Sequence, residues 1–91
     1  MERKRNKLEV IRDILSVIRE KNGKIKPTHV LYKSNLSHQM MKEYMEELMK
    51  KGFVEENTFK NNKTYSVTDK GINYLDEYHT IMEFTSSFGL E

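Results

Sequence analysis

Three histidines, 14 carboxylates and no cysteine are the groups in this 91-residue chain that can hold a metal or move a proton. His29, His38 and His79 fall on three separate helical stretches, with neither a paired-histidine helical spacing nor a carboxylate cluster of ligand type beside them, so no metal site is expected. The lack of cysteine excludes disulfides and thiolate zinc sites. No glycine-rich phosphate loop, nucleophile elbow or isolated acid pair is present, and the carboxylates are spread along helix surfaces beside lysines. The expectation is a chain without catalysis, without a cofactor and without an evident small-molecule ligand.

What remains is hydrogen bonding. Ser37, His38, Gln39 and Lys42 occupy the first exposed turn of a helical stretch, while its carboxylates, Glu43, Glu46 and Glu47, begin only in the second turn. Glutamine can pair bidentately with adenine and lysine can donate to guanine, so this polarity suits a helix whose N-terminal end meets phosphates and base edges. The alternative is an ordinary amphipathic helix with a solvated face. Met40, Met41, Met45 and Met49 are better explained by core filling than by an adaptable binding surface.

The elements that position these residues are legible in order. Ser37 is an N-cap, Leu36 can staple onto Met41, and Met41, Tyr44, Met45 and Leu48 recur at three- and four-residue spacing until Gly52 ends the helix, which is placed at 37–51. Before it, a first helix spans about residues 7–22, with Leu8, Ile11, Leu15 and Ile18 as its stripe and Val10, Ile14 and Val17 widening it. Gly23 ends that helix, residues 24–26 allow a single edge pairing, and Pro27 opens a short second helix to about residue 34. Asn35 tolerates the left-handed turn that joins it to the central helix, making a helix-turn-helix. After Gly52, residues 53–59 and 63–67 read as strands around a turn at Lys60, Asn61 and Asn62. Thr68 caps a last helix reaching about residue 84, with Gly71 marking close approach of another backbone.

Net charge is only +2, but residues 1–42 carry +7 and residues 43–91 carry −5. Such asymmetry can orient a molecule on a polyanion, although Arg3, Lys4, Arg5 and Lys7 also suit a solubilising tail. The length indicates one domain with a core small enough to gain from a partner subunit. No apolar run exceeds three residues, which argues against a membrane span or a signal peptide and for a soluble, cytoplasmic protein. Leu90 and Glu91 can be a cloning scar, so no weight is placed on them.

The last helix carries more apolar surface than one small core can cover. Ile72, Leu75, His79 and Met82 form a stripe able to pack on the first helix, leaving Tyr74, Tyr78, Ile81, Phe84 and Phe88 for a partner copy. The alternative is a tail folded back over its own core.

Taken together, Asn35-Leu36-Ser37, Tyr44-Met45-Glu46-Glu47-Leu48, Lys51-Gly52-Phe53-Val54 and Tyr65-Ser66-Val67-Thr68-Asp69-Lys70-Gly71 resemble the archaeal family of small, dimeric winged helix-turn-helix DNA-binding proteins and predicted transcriptional regulators. The resemblance covers about residues 7–84. It implies an α+β, mainly helical winged helix-turn-helix with the helix from Ser37 in the major groove of double-stranded DNA. It also implies a wing, tipped by residues 60–63, on the backbone or minor groove, and dimerisation through the last helix. The chain departs from the family in having His38 where a tyrosine is frequent and in its short C-terminal helix. The expected organisation is a basic tail (1–6), a DNA-binding domain (7–68) and a homodimerisation helix (69–91). His38, Gln39 and Lys42 would face bases; Arg3, Lys4, Arg5, Lys60 and Lys63 would face phosphates. A winged helix serving only as a protein-interaction module is the alternative; RNA binding is weaker, since Phe59 alone looks free to stack.

Overall fold

The computed structural model describes residues 5–90. Its order is α1 (Lys7–Glu20), α2 (Pro27–Lys33), α3 (His38–Lys50), β1 (Val54–Phe59), β2 (Asn62–Val67) and α4 (Asp69–Ser87). The architecture is the expected winged helix-turn-helix: four helices and one two-stranded antiparallel sheet.

Helix α1 begins in a reciprocal capping box, in which the Glu9 amide donates to Asn6 Oδ1 at 2.8 Å and the Asn6 amide donates to Glu9 Oε1 at 3.4 Å. It buries Val10, Ile11, Ile14, Leu15 and Ile18, whereas Leu8, expected in the stripe, is exposed at the N-terminal end of the helix. The helix stops at Glu20, two residues earlier than the pattern suggested. Gly23 then turns at φ 82° and donates its amide to Tyr65 O at 2.9 Å. The next residues pair once with β2, through the Ile25–Tyr65 bridge. Asn35 takes the left-handed conformation at φ 54° that joins α2 to α3.

The hairpin runs in register from Val54 opposite Val67 to Phe59 opposite Asn62. Its turn is therefore two residues, Lys60 and Asn61, at φ 51° and 64°, and Asn62 belongs to the strand and not to the turn. Two successive positive φ values define the primed turn whose twist matches that of the strands it joins.

Helix α4 starts at Thr68, whose hydroxyl accepts from the Gly71 amide at 3.2 Å, and runs three residues past its expected end. Gly71 and Leu75 are buried, and Ile72, Tyr74 and Tyr78 are half-buried. His79 and Met82 are exposed, which corrects the stripe read from the sequence. A Cβ at Gly71 would lie 2.6 Å from Phe53 O and against the Val67 side chain, so the helix docks by its glycine. The buried face then follows Gly71, Tyr74, Leu75 and Tyr78, with Tyr74 Oη donating to Leu8 O at 2.9 Å and Arg12 lying 5.1 Å over the Tyr78 ring. Beyond Tyr78 the helix outruns the core.

Candidate nucleic-acid interface

Helix α3 turns Met41, Met45 and Leu48 into the core, so helical geometry places His38, Gln39 and Lys42 on its solvent face. Ser37 fixes the start of the helix by accepting from the Met40 amide at 3.1 Å. Gln39 Nε2 donates to Glu43 Oε1 at 2.8 Å, a neighbour on the same helix that an incoming acceptor has to displace. The first turn holds no acidic residue, so no carboxylate there offsets the positive end of the helix dipole, while Lys50 lies in the last turn, at the negative end.

The helix is held in place from both sides. Lys7 Nζ meets Glu47 Oε1 at 2.8 Å, and at the far end Phe53 N donates to Leu48 O at 2.8 Å while Lys70 Nζ donates to Lys51 O at 2.7 Å. The hydrogen bond between Lys7 and Glu47 raises the ammonium pKa above its ordinary value and lowers that of the carboxyl. Both are at the surface, so the pair orients more than it stabilises.

Of the basic tail, Arg3 and Lys4 lie outside the described residues. Arg5 sits on the turn of the helix-turn-helix: Nη1 pairs with Asp13 Oδ2 at 2.6 Å and Nη2 donates to Asn35 O at 3.1 Å. Asp13 also pairs with Arg12 Nε at 2.7 Å, so this carboxylate gathers two guanidinium groups beside the tight turn.

On the wing, Asn61 stands at the turn, and Asn62 Nδ2 donates to Lys60 O at 3.1 Å, bracing it. Lys60 Nζ lies 5.4 Å over the Phe59 ring. Lys63 is engaged within the wing: its Nζ is 2.7 Å from Glu56 Oε1, and that hydrogen bond, followed by the charge of Tyr65, raises its pKa. A cation that sequence reasoning missed joins Lys60 at Phe59. Lys24 Nζ is 5.5 Å over the same Phe59 ring, although the two residues lie far apart in the chain. The signal that could have found it was the edge pairing at residues 24–26, which brings that segment alongside β2.

The residues expected at a partner interface divide. Tyr74 and Tyr78 stack on each other at 6.2 Å and face α1, with Tyr74 also edge-on to Phe53 at 5.9 Å. Ile81, Phe84 and Phe88 are 58%, 63% and 66% exposed, and the last two rings lie 5.0 Å apart between centroids. Among the described residues, no group of three or more histidines and carboxylates is arranged to hold a metal, and no helix is long and apolar enough to cross a membrane.

Residues 4–86 match the family model described as winged helix-turn-helix. No curated protein sequence gives a significant match. Several solved structures share the fold. The chain is similar to Sso10a-2, a DNA-binding protein from Sulfolobus solfataricus, at 23% identity and a TM-score of 0.75, over 92% of this chain and 85% of that one. It is similar to F-93 of SSV1 at 21% identity and a TM-score of 0.70, over 97% and 99% of the respective chains. A point mutant of S. aureus MepR gives a TM-score of 0.76 at 10% identity, over 93% of this chain and 63% of that one.

Proposed function

This chain belongs to the winged helix-turn-helix family, and from that membership and the geometry of α3 we propose that it is a duplex DNA-binding transcriptional regulator acting as a dimer. The observation that carries the reading is the outward face of α3: donors from Ser37 to Lys42 stand at the N-terminal end, clear of the core and of any acid in the first turn. In the proposed complex α3 lies in the major groove, where Gln39 exchanges its Glu43 partner for an adenine edge and Lys42 donates to guanine. His38 stands next to them at the groove entrance. Lys60 and Asn61 carry the wing onto the backbone or minor groove.

The Sulfolobus protein of the same fold is described as DNA-binding, which supports the reading. Dimerisation is proposed through the exposed part of α4, where Ile81, Phe84 and Phe88 form an apolar strip beyond the monomer core. A twofold axis there can present two α3 helices to successive major grooves, ~34 Å apart.

The test is selection of bound duplexes from a random pool with the full chain at low salt, followed by anisotropy on the recovered sequence. Enrichment of a motif that Gln39→Ala or Lys42→Ala relaxes supports the reading. Absence of duplex binding at low salt refutes it and favours a protein-interaction module.

A further inference from the structure

We propose that Lys24, Phe59 and Lys60 form one minor-groove site on the wing, in which the ring lies against deoxyribose and the two ammonium groups take phosphates on either side. The proposal rests on the DNA-binding reading above and goes beyond it by placing a cation from outside the hairpin, and an aromatic ring, at the point of contact. Both ammonium groups approach the same ring, Lys24 at 5.5 Å and Lys60 at 5.4 Å from its centroid. They are therefore at most about 11 Å apart, close enough to act together on one stretch of a minor groove about 6 Å wide. Phe59 remains 37% exposed, unlike the aromatic residues that serve the core.

Lys24 is held in that place by the fold. The Gly23 amide donates to Tyr65 O at 2.9 Å, the Tyr65 amide donates to Ile25 O at 3.1 Å, and buried Thr64 donates its hydroxyl to Gly23 O at 2.8 Å. These hydrogen bonds on the residues flanking Lys24 fix its backbone to β2, so only the side chain remains to be ordered when DNA arrives. Lys63 is the contrasting case. Its ammonium lies 2.7 Å from Glu56 Oε1, so a phosphate has to compete with that carboxylate for it, whereas Lys24 and Lys60 have the ring and no carboxylate as a partner among the described residues. Two cations set close together on an apolar platform favour the enhanced negative potential of a narrow, A·T-rich minor groove.

The probes are two duplexes of about 24 base pairs, long enough for two successive major grooves, with a common centre. One is flanked by A-tracts and one by G·C-rich sequence, and both are bound to the full chain across a salt series. The intact protein is expected to prefer the A-tract duplex. Lys24→Ala and Lys60→Ala are each expected to lower the salt slope by about 0.9, the release expected for one phosphate contact, and to reduce the A-tract preference. Phe59→Ala is expected to weaken binding about fivefold with an unchanged slope, which corresponds to losing roughly 40 Å² of apolar contact at about 25 cal/mol per Å². Lys63→Ala is expected to change the slope by less than half as much as Lys24→Ala does. Circular dichroism of each variant establishes that the wing is folded. If the intact chain binds both duplexes but folded Lys24→Ala and Phe59→Ala behave as the parent does, the wing site is overturned while the DNA reading stands. If the intact chain binds neither duplex, both fall.

Discussion

Replacing Gly71 by alanine tests the way the last helix is docked. In an exposed helix interior the change stabilises by up to about 1 kcal/mol, because alanine is the best helix former and glycine nearly the worst. Here the new methyl would lie 2.6 Å from Phe53 O and against the Val67 side chain. Ordinary contact begins at 3.4 Å, so the gap to the carbonyl has to open by about 0.8 Å. That carbonyl cannot swing away freely, since it accepts from the Thr68 amide at 3.1 Å and so belongs to the joint between β1 and the start of α4. Overpacking of this kind costs about 1–3 kcal/mol, which outweighs the propensity gain. The expected net loss is about 1–2 kcal/mol, or a fall in melting temperature of roughly 5–15 °C for a chain of this length. Thermal and urea unfolding followed by circular dichroism give the measurement, and Asn73→Ala, exposed on the same helix, serves as the control expected within about 0.5 kcal/mol of the parent. A Gly71→Ala protein as stable as the parent, or more stable, would refute the close approach and with it the assignment of the inward face of α4.

The other expected outcomes concern binding, assembly and pH. Gln39→Ala and Lys42→Ala should each cost ~1–3 kcal/mol on the selected duplex and widen the range of sequences bound, measured by competition. Phe84→Asp should convert a dimer into a monomer by light scattering at micromolar concentration while the thermal transition persists, because Phe84 lies outside the monomer core; a parent chain that is monomeric at every concentration removes the dimer from the proposal. Burial, then the neighbouring Tyr78, raises the pKa of Tyr74 above its ordinary value of 10.0. Its contribution is thus complete below that ordinary value and is lost as pH rises through the higher folded one; Tyr74→Phe, which also removes the bond to Leu8 O, should be about 1 kcal/mol less stable at neutral pH and show a shallower alkaline decline in urea titrations. Glu47 has the opposite sign: Lys7 lowers its pKa, so its small contribution exists above the ordinary carboxyl value of 4.5 and disappears as pH falls, a decline that Glu47→Gln should flatten.

The order of elements was legible because each boundary is written locally. Ser37 and Thr68 cap their helices, Pro27 opens α2, and Asn35 and Gly52 take the left-handed conformations that end elements, all effects acting over a few residues. The outward face of α3 was legible for the same reason, since one periodic stripe of Met41, Met45 and Leu48 determines which side is wet. How far α4 is covered was not, because periodicity does not register where the supporting core ends; Ile72 and Leu75 pack on it, whereas His79 and Met82 of the same stripe lie past it, and the close approach at Gly71 involves a residue with no side chain to signal it. Nor could the chain in one dimension show that Arg5 meets Asn35, that Lys63 is taken by Glu56, or that Lys24 joins Phe59 and Lys60. A charge count registers every lysine alike. Which cation is bound at home and which is left facing solvent depends on distances of a few ångströms between segments far apart in the chain, and those distances come into being only when the β1–β2 hairpin closes and the strand at Ile25 pairs with it.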